Sequence, residues 1–313
     1  MDNYHLKVMG MGEELTITLQ NVRKVYGKTS ALNGLNMAVR TGELYGFLGP
    51  NGAGKTTTIR ILTGFIRATG GEASVLGLNP WSQSVELKRR IGFLPDISPL
   101  YKGLTGREFI NYIAQLHRLR FPPLQSMLLE RLQLSEATLA QKLKSYSHGM
   151  KKKVMLVQAM QHNPELLIMD EPTDGLDPLM RQEFFSIIRE LSGQGVTVFM
   201  SSHVLSDLED LCDRLAIIRE GLIVSEGSIN ELRLGHRRPV TVEFSSKPPR
   251  KFNSSGVTVI SRDGTTCKLL VTGDINDLIR ELATYDLVDL VLERTSLEEL
   301  FLDYYKGKAQ ATV

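Results

Sequence analysis

Apolar and polar positions alternate along this chain in three different rhythms, and each predicts a different kind of element. Residues 15–39 alternate in short runs (LTITLQNV, ALNGLNMAV) with Gly27 and Gly34 as breaks, which predicts antiparallel strands. The runs 44–48, 91–94, 166–169 and 196–200 are apolar without alternation, as expected of parallel strands buried on both faces. A third rhythm is helical. Thr105 and Glu108 form a capping box ahead of Phe109, Ile110, Ile113, Leu116 and Leu119, and 124–134 and 135–143 continue the helical signal. Residues 96–161 therefore read as a helical insertion between two strands of one sheet. Further helices are predicted at 85–90, at 229–234, and after Asp177-Pro178, where Met180, Phe184, Ile187, Ile188 and Leu191 share a face that Gly193 and Gly195 end. A hairpin through Glu220-Gly221 closes the set.

The stretch 235–239 (GHRRP) marks a boundary. Beyond it come short strands at 240–244, 257–260 and 267–271, a helix at 275–282, a strand at 287–292 and a helix at 297–305. The expected organisation is a tail at 1–14, a large α/β domain at 15–235, and a small α+β domain at 239–313.

The strand at 44–48 runs into Gly49, Pro50, Asn51, Gly52, Ala53, Gly54, Lys55, Thr56 and Thr57, and a helix continues from there until Gly64. This fits G-x-x-x-x-G-K-[ST] in its required strand–loop–helix setting. Its glycines allow a tight turn that points several N–H groups at one anion, and the helix adds its positive end there. Lys55 can reach the outer phosphates and the Thr56 hydroxyl can ligate Mg2+. A nucleoside triphosphate is the expected ligand.

Asp170 and Glu171 stand at the carboxyl end of the buried run 166–169, where open α/β sheets bind ligands. Asp170 can hold the magnesium through water and Glu171 can take a proton from an attacking water. Ser147 is placed to cap a helix beginning in the turn Ser145-Tyr146-Ser147-His148-Gly149. Two readings stay open for each of two further features. Tyr26 is a base-stacking ring or a half-buried strand aromatic; His203, at the end of the run 196–200, is catalytic or structural. Lys151, Lys152 and Lys153 read first as a solvated helix face.

Composition adds little. With 37 basic and 35 acidic residues the net charge is +2, which argues against nucleic acid as the main partner. Two cysteines, Cys212 and Cys267, form neither a disulfide framework nor a metal motif and suit a reducing cytoplasm. No run of about 18 apolar residues is present to span a membrane, and residues 1–14 lack the apolar core of a signal peptide.

Taken in order, these motifs resemble those of an ATP-binding cassette ATPase over residues 15–235. GPNGAGKTT is similar to the Walker A loop, LLIMDEPT to the Walker B strand, Leu176-Asp177-Pro178 to the D-loop and Ser201-Ser202-His203 to the switch-histidine strand end. The resemblance implies a P-loop fold with a mixed sheet core, an antiparallel β subdomain and a helical insertion. It implies ATP as substrate with Mg2+, Tyr26 on the adenine, Glu171 as general base and His203 as sensor of the γ-phosphate. It also implies two such domains pairing head to tail, as homodimer or heterodimer. Ser147 and Gly149 would then touch the nucleotide held by the opposite copy, and Asp177 would couple the two sites.

Two positions depart from the family pattern. The usual LSGGQ is Tyr146-Ser147-His148-Gly149-Met150, and Asp96 stands where a glutamine normally ligates magnesium. Both variants, and the segment 293–301 (ERTSLEELF), resemble ATPases of ABC-2-type exporters. The implied protein is an ATPase on the inner face of the cell membrane, docked on an integral membrane permease near 96–106. A regulatory ATP-binding module with little hydrolysis, and an ATPase acting on nucleic acid or ribosomes, are the rival readings.

Overall fold

The computed structural model describes residues 14–96, 101, 103–234, 238–272 and 274–292. The helix expected at 297–305 and the segment 293–301 lie outside these residues. By internal contacts the chain divides into two compact units after Glu226, ahead of the stretch 235–239, because residues 229–234 group with the second unit.

The first unit opens with β1 (Leu15–Tyr26) and β2 (Thr29–Arg40), an antiparallel pair. Their alternation buries Ile17, Leu19 and Val22 together with Leu35, Met37 and Val39. Gly34 does not break a strand here. It lies within β2 as the extra residue of a bulge, since Val22 faces Leu35 while Arg23 faces Asn33.

Next come β3 (Leu44–Leu48), α1 (Lys55–Leu62), β4 (Gly70–Val75), α2 (Ser84–Arg90) and β5 (Ile91–Leu94). Strand β4 pairs with β1 and completes a three-stranded antiparallel sheet. The helical stretch then runs as α3 (Gly106–Leu116), α4 (Gln125–Arg131), α5 (Glu136–Leu139) and α6 (His148–Met160). The capping box forms as expected, the Thr105 hydroxyl accepting from the Glu108 N–H and the Glu108 carboxylate from the Thr105 N–H. The helix stops short of Leu119, because Arg118 turns into the left-handed region at φ 59°. The run 124–143 is likewise α4, α5 and one 3-10 turn rather than continuous helix.

The unit continues with β6 (Leu166–Asp170), α7 (Pro178–Gly193), β7 (Thr197–Ser202), α8 (Leu205–Leu211), β8 (Arg214–Arg219) and β9 (Leu222–Ser228). These build a six-stranded sheet in the order β5-β6-β7-β3-β8-β9, parallel from β5 to β8. Every residue of β3, β6 and β7 is buried. At roughly 1.5–3 kcal/mol per fully buried large apolar side chain, this explains the apolar runs 44–48, 166–169 and 198–200 within them, with polar residues buried at the strand ends. The strand order brings the carboxyl ends of β3, β6 and β7 side by side.

The second unit contains α9 (Ile229–Leu234), β10 (Arg238–Phe244), β11 (Val257–Asp263), β12 (Thr266–Val271), α10 (Ile275–Leu282) and β13 (Leu287–Leu292). Its strands form one antiparallel sheet in the order β11-β12-β10-β13. Val242, Phe244, Cys267 and Leu269 pack with Leu278 and Leu282 of α10. Both cysteines are buried free thiols whose pKa values burial pushes up. Among the described residues no helix is long and apolar enough to cross a membrane.

Candidate nucleotide site

The loop after β3 turns through Gly52 (φ 82°) and Gly54 (φ 116°), and Gly54 forms the N-cap of α1 without any side-chain cap. A β-carbon at Gly54 would lie 2.8 Å from the Leu32 side chain and 3.0 Å from the Ala31 carbonyl oxygen, in a backbone region that already disfavours one. The first N–H groups of α1 thus have no side-chain acceptor at the cap, as an incoming anion requires. Lys55 is 6 % exposed; its Nζ donates to the Gly49 carbonyl at 2.6 Å, which lays the side chain back over the loop.

Strand β6 delivers the carboxylates. Asp170, 3 % exposed, accepts from Thr56 Oγ1 at 3.2 Å and from Ser201 Oγ of β7. Burial pushes its carboxyl up from the usual range, opposed by these two hydrogen bonds and reinforced by the charges of Glu171 and Asp96. Glu171 takes a left-handed backbone, φ 48°, immediately after the strand. Its carboxylate reaches the Lys55 Nζ at 3.5 Å on one oxygen and His203 Nδ1 at 2.9 Å on the other. An ionised carboxylate only accepts, so this contact places a proton on Nδ1.

A cleft of about 180 Å3 gathers these groups: Ala31, seven loop residues (Pro50, Asn51, Gly52, Gly54, Lys55, Thr56 and Thr57), Asp96, Asp170 and Glu171. A larger cavity of about 510 Å3 sits by the amino ends of β6 and β7, lined by Thr197 and by Arg90 and Glu165, whose ion pair at 2.6 Å already satisfies both. Ligands of open α/β sheets bind at the opposite, carboxyl ends, so the smaller cleft is the candidate site.

The residues around the cleft fit a magnesium ion. The Thr56 hydroxyl and the Asp170 carboxylate converge, Asp96 lines the same cleft, and all three offer hard oxygen donors. Among the described residues no three histidine, cysteine or carboxylate side chains form a ready-made cage. That suits an ion which takes one or two carboxylates and completes its shell with a hydroxyl, water and phosphate.

Several predicted residues lie outside the cleft lining. Tyr26 ends β1, 44 % exposed, with Lys24 Nζ 5.0 Å from the centre of its ring. Ser147 caps α6, its hydroxyl accepting from the Met150 N–H at 3.2 Å, and Asp177 caps α7, accepting from the Met180 N–H at 2.9 Å. Gly149 belongs to the Ser147 turn, which rests on the loop before Asp177. His148 Nε2 meets Asp174 Oδ2 at 3.2 Å, and a β-carbon at Gly175 would come within 2.0 Å of the His148 ring. The departure at position 148 is therefore matched by a glycine across from it.

The lysine run corrects the sequence reading. Lys151 and Lys153 are half-buried, but Lys152 is only 2 % exposed and its Nζ donates to the Glu171 carbonyl at 2.6 Å. Helix α6 turns this position onto the end of β6. Three consecutive identical residues carry no sign of which one faces inward; the apolar face of Val154, Leu156 and Val157 is the available hint. Sequence reading also missed Asp207, 2 % exposed, which accepts from Thr173 Oγ1 at 2.5 Å and from Arg181 at 3.0 Å and so ties the loop after β6 to α7 and α8.

Residues 32–174 match the family described as ABC transporter. The chain is 37% identical over 232 residues to the bacitracin transport ATP-binding protein of Bacillus licheniformis, covering 74% of this chain and 76% of that one. It is 32% identical over 304 residues to a daunorubicin resistance ATP-binding protein of Streptomyces coeruleorubidus, covering 92% of this chain and 95% of that one. Among solved structures, an ATP-binding subunit of an ABC transporter superposes with a TM-score of 0.65 at 29% identity, over 70% of this chain and 92% of that one. A dimeric bacterial ABC transporter cassette, at 24% identity, shares the fold with a TM-score of 0.63 over 68% of this chain and 98% of that one.

Proposed function

The chain belongs to the ABC transporter family as one of its ATP-binding proteins, and on that premise we propose that it hydrolyses ATP to energise export through a separate integral membrane permease. One observation carries the reading: Glu171 lines one cleft with Lys55, Thr56 and Asp170, and its carboxylate bridges Lys55 to His203, which lies outside the lining. A chain that only bound nucleotide would have no use for a carboxylate held there.

Phosphoryl transfer to water needs positioning and charge neutralisation more than covalent chemistry. Residues 49–57 would hold the triphosphate through backbone N–H groups, with Lys55 on the outer phosphates. Glu171 would orient the attacking water and take its proton. His203 would lie next to the γ-phosphate; since its Nδ1 proton is committed to Glu171, only Nε2 is left to face it. Thr56, Asp170 and Asp96 would hold Mg2+, which when bound neutralises charge on the transferring phosphate. Tyr26 would stack on the adenine, which suits its exposed ring.

Ser147 and Gly149 do not line this chain's cleft. Their capped helix end would serve the nucleotide of a second subunit in a head-to-tail homodimer or heterodimer, with Asp177 at the junction. The relatives named for bacitracin transport and daunorubicin resistance support export, and the dimeric cassette supports pairing. The protein would then sit on the inner face of the membrane, with no role for nucleic acid. Residues 239–313 would form an accessory domain, and residues 96–161 the insertion that meets the permease.

The test is steady-state ATP hydrolysis with magnesium, with and without the permease, beside Glu171→Gln. We expect turnover by the natural chain, none by the variant, and ATP-driven dimers of the variant. Nucleotide binding without turnover under every condition would leave a regulatory module instead.

A further inference from the structure

The lysine run holds a group that the proposed chemistry does not use. Lys152 lies on the buried face of a helix whose first residues form the Ser147 turn, yet its ammonium points at the end of β6. A buried ammonium is costly unless it is paired or hydrogen-bonded. Its surroundings explain how it is kept: Asp96, Asp174, Asp170 and Glu171 all favour its charge, although burial outweighs them and lowers its pKa. Its hydrogen bond goes to a main-chain oxygen, that of Glu171, at 2.6 Å.

The residue so held is itself in a strained conformation. A non-glycine backbone at φ 48° persists only where its surroundings fix it. Three contacts to its main chain fix it here, one of them from the Asp174 N–H, which donates to the Glu171 carbonyl at 3.4 Å. The Glu171 N–H donates to the Ser201 carbonyl at 3.2 Å on one side, and its own carbonyl accepts from Lys152 on the other. The residue is clamped at both ends of its main chain, while its carboxylate meets Lys55 and His203.

We infer that Lys152 is a positioning residue for Glu171: its ammonium holds the Glu171 carbonyl and thereby aims the carboxylate between Lys55 and His203. The inference rests on the proposed role of Glu171 as the base. It gives α6 two separate tasks, the Ser147 turn at its start and the grip on the base of the same chain within its second turn. Displacing α6 relative to β6 would stretch the bond and misaim the base, so hydrolysis would depend on where this helix lies.

The test compares Lys152→Met and Lys152→Arg in the full chain with Mg-ATP. Misplacing a catalytic group by about 1 Å can cost on the order of 10²-fold, so Lys152→Met should lower kcat by about that factor. Its KM and ATP affinity should stay within about threefold of the natural values, because ground-state binding is untouched. Lys152→Arg, which keeps a cationic donor, should recover much of the loss. Lys152→Met combined with Glu171→Gln should still form ATP-driven dimers, which a misfolded protein would not. Natural kcat in Lys152→Met overturns the inference. So does a fall in kcat matched by equal falls in ATP affinity and melting temperature, with no rescue by arginine. Absence of turnover in the natural chain itself is a different failure: it removes the hydrolysis reading, and with it any base for Lys152 to aim.

Discussion

The large sheet of the first unit and the sheet of the second use burial differently. In the six-stranded sheet, β3, β6 and β7 are covered on both faces, and the apolar mass surrounds charged groups: Lys55, Asp170 and Lys152 are all buried near the carboxyl ends of its strands. In the four-stranded sheet, β11 and β13 leave most of their residues exposed, and among the described residues the core beneath α10 is built from apolar side chains. One sheet holds charges out of water where their fields are strong. The other holds itself together.

The comparison predicts that function and stability can be damaged separately. The largest effect should come from Glu171→Gln, which removes a general base worth about 10²–10⁴-fold in rate while leaving the melting temperature near its natural value. A drop in stability as steep as the drop in turnover would show that the two sheets do not differ in this way.

The converse variant is Leu269→Ala in β12, fully buried in the second unit. It should destabilise that unit by about 2–5 kcal/mol, seen as faster amide exchange in β10 and β12, with ATP affinity of the first unit unchanged. Loss of ATP binding in step with it would join the two regions.

A smaller effect concerns acid. His162, just beyond α6, stacks on His117 with ring centres 3.9 Å apart, and its Nε2 lies 3.1 Å from the Ile91 carbonyl. A carbonyl only accepts, so Nε2 carries the proton and donates it. Burial, with some help from the His117 charge, lowers the His162 pKa to about 4. An unfolded His162 would titrate near 6.5, so between these values the unfolded chain binds more protons than the folded one. Stability must therefore fall as pH drops through that window and level off below it. The loss should be about 3 kcal/mol, and melting curves from pH 7 to 4 should flatten in His162→Gln, which keeps a donor for Ile91 and cannot titrate.

How far these features show in the sequence depends on the forces that produce them. The phosphate loop and β6 are legible because their chemistry needs particular residues at fixed spacing on a strand with no alternation. The α3 start is legible because a capping box is local, both partners lying within one turn. Lys152 is not, since its burial depends on how α6 is set against β6 rather than on its neighbours in the chain. The same holds for Asp207, a carboxylate in a short helix whose partners come from 173 and 181. Gly34 marks an irregularity, but whether glycine ends a strand or bulges one is decided by the partner strand. His148 reads as a weakened signature position; its fit against Gly175 is a contact between segments more than twenty residues apart.

The left-handed backbone of Glu171 has an evolutionary side. Glycine or asparagine would occupy φ 48° with less strain than glutamate, and neither could serve as a base. At this position, then, selection for activity pulls against selection for stability. Glu171→Asn should melt no lower than the natural chain while turning over no ATP. A lineage that paired this chain with a more active subunit, and no longer needed turnover here, would find the first step of decay downhill.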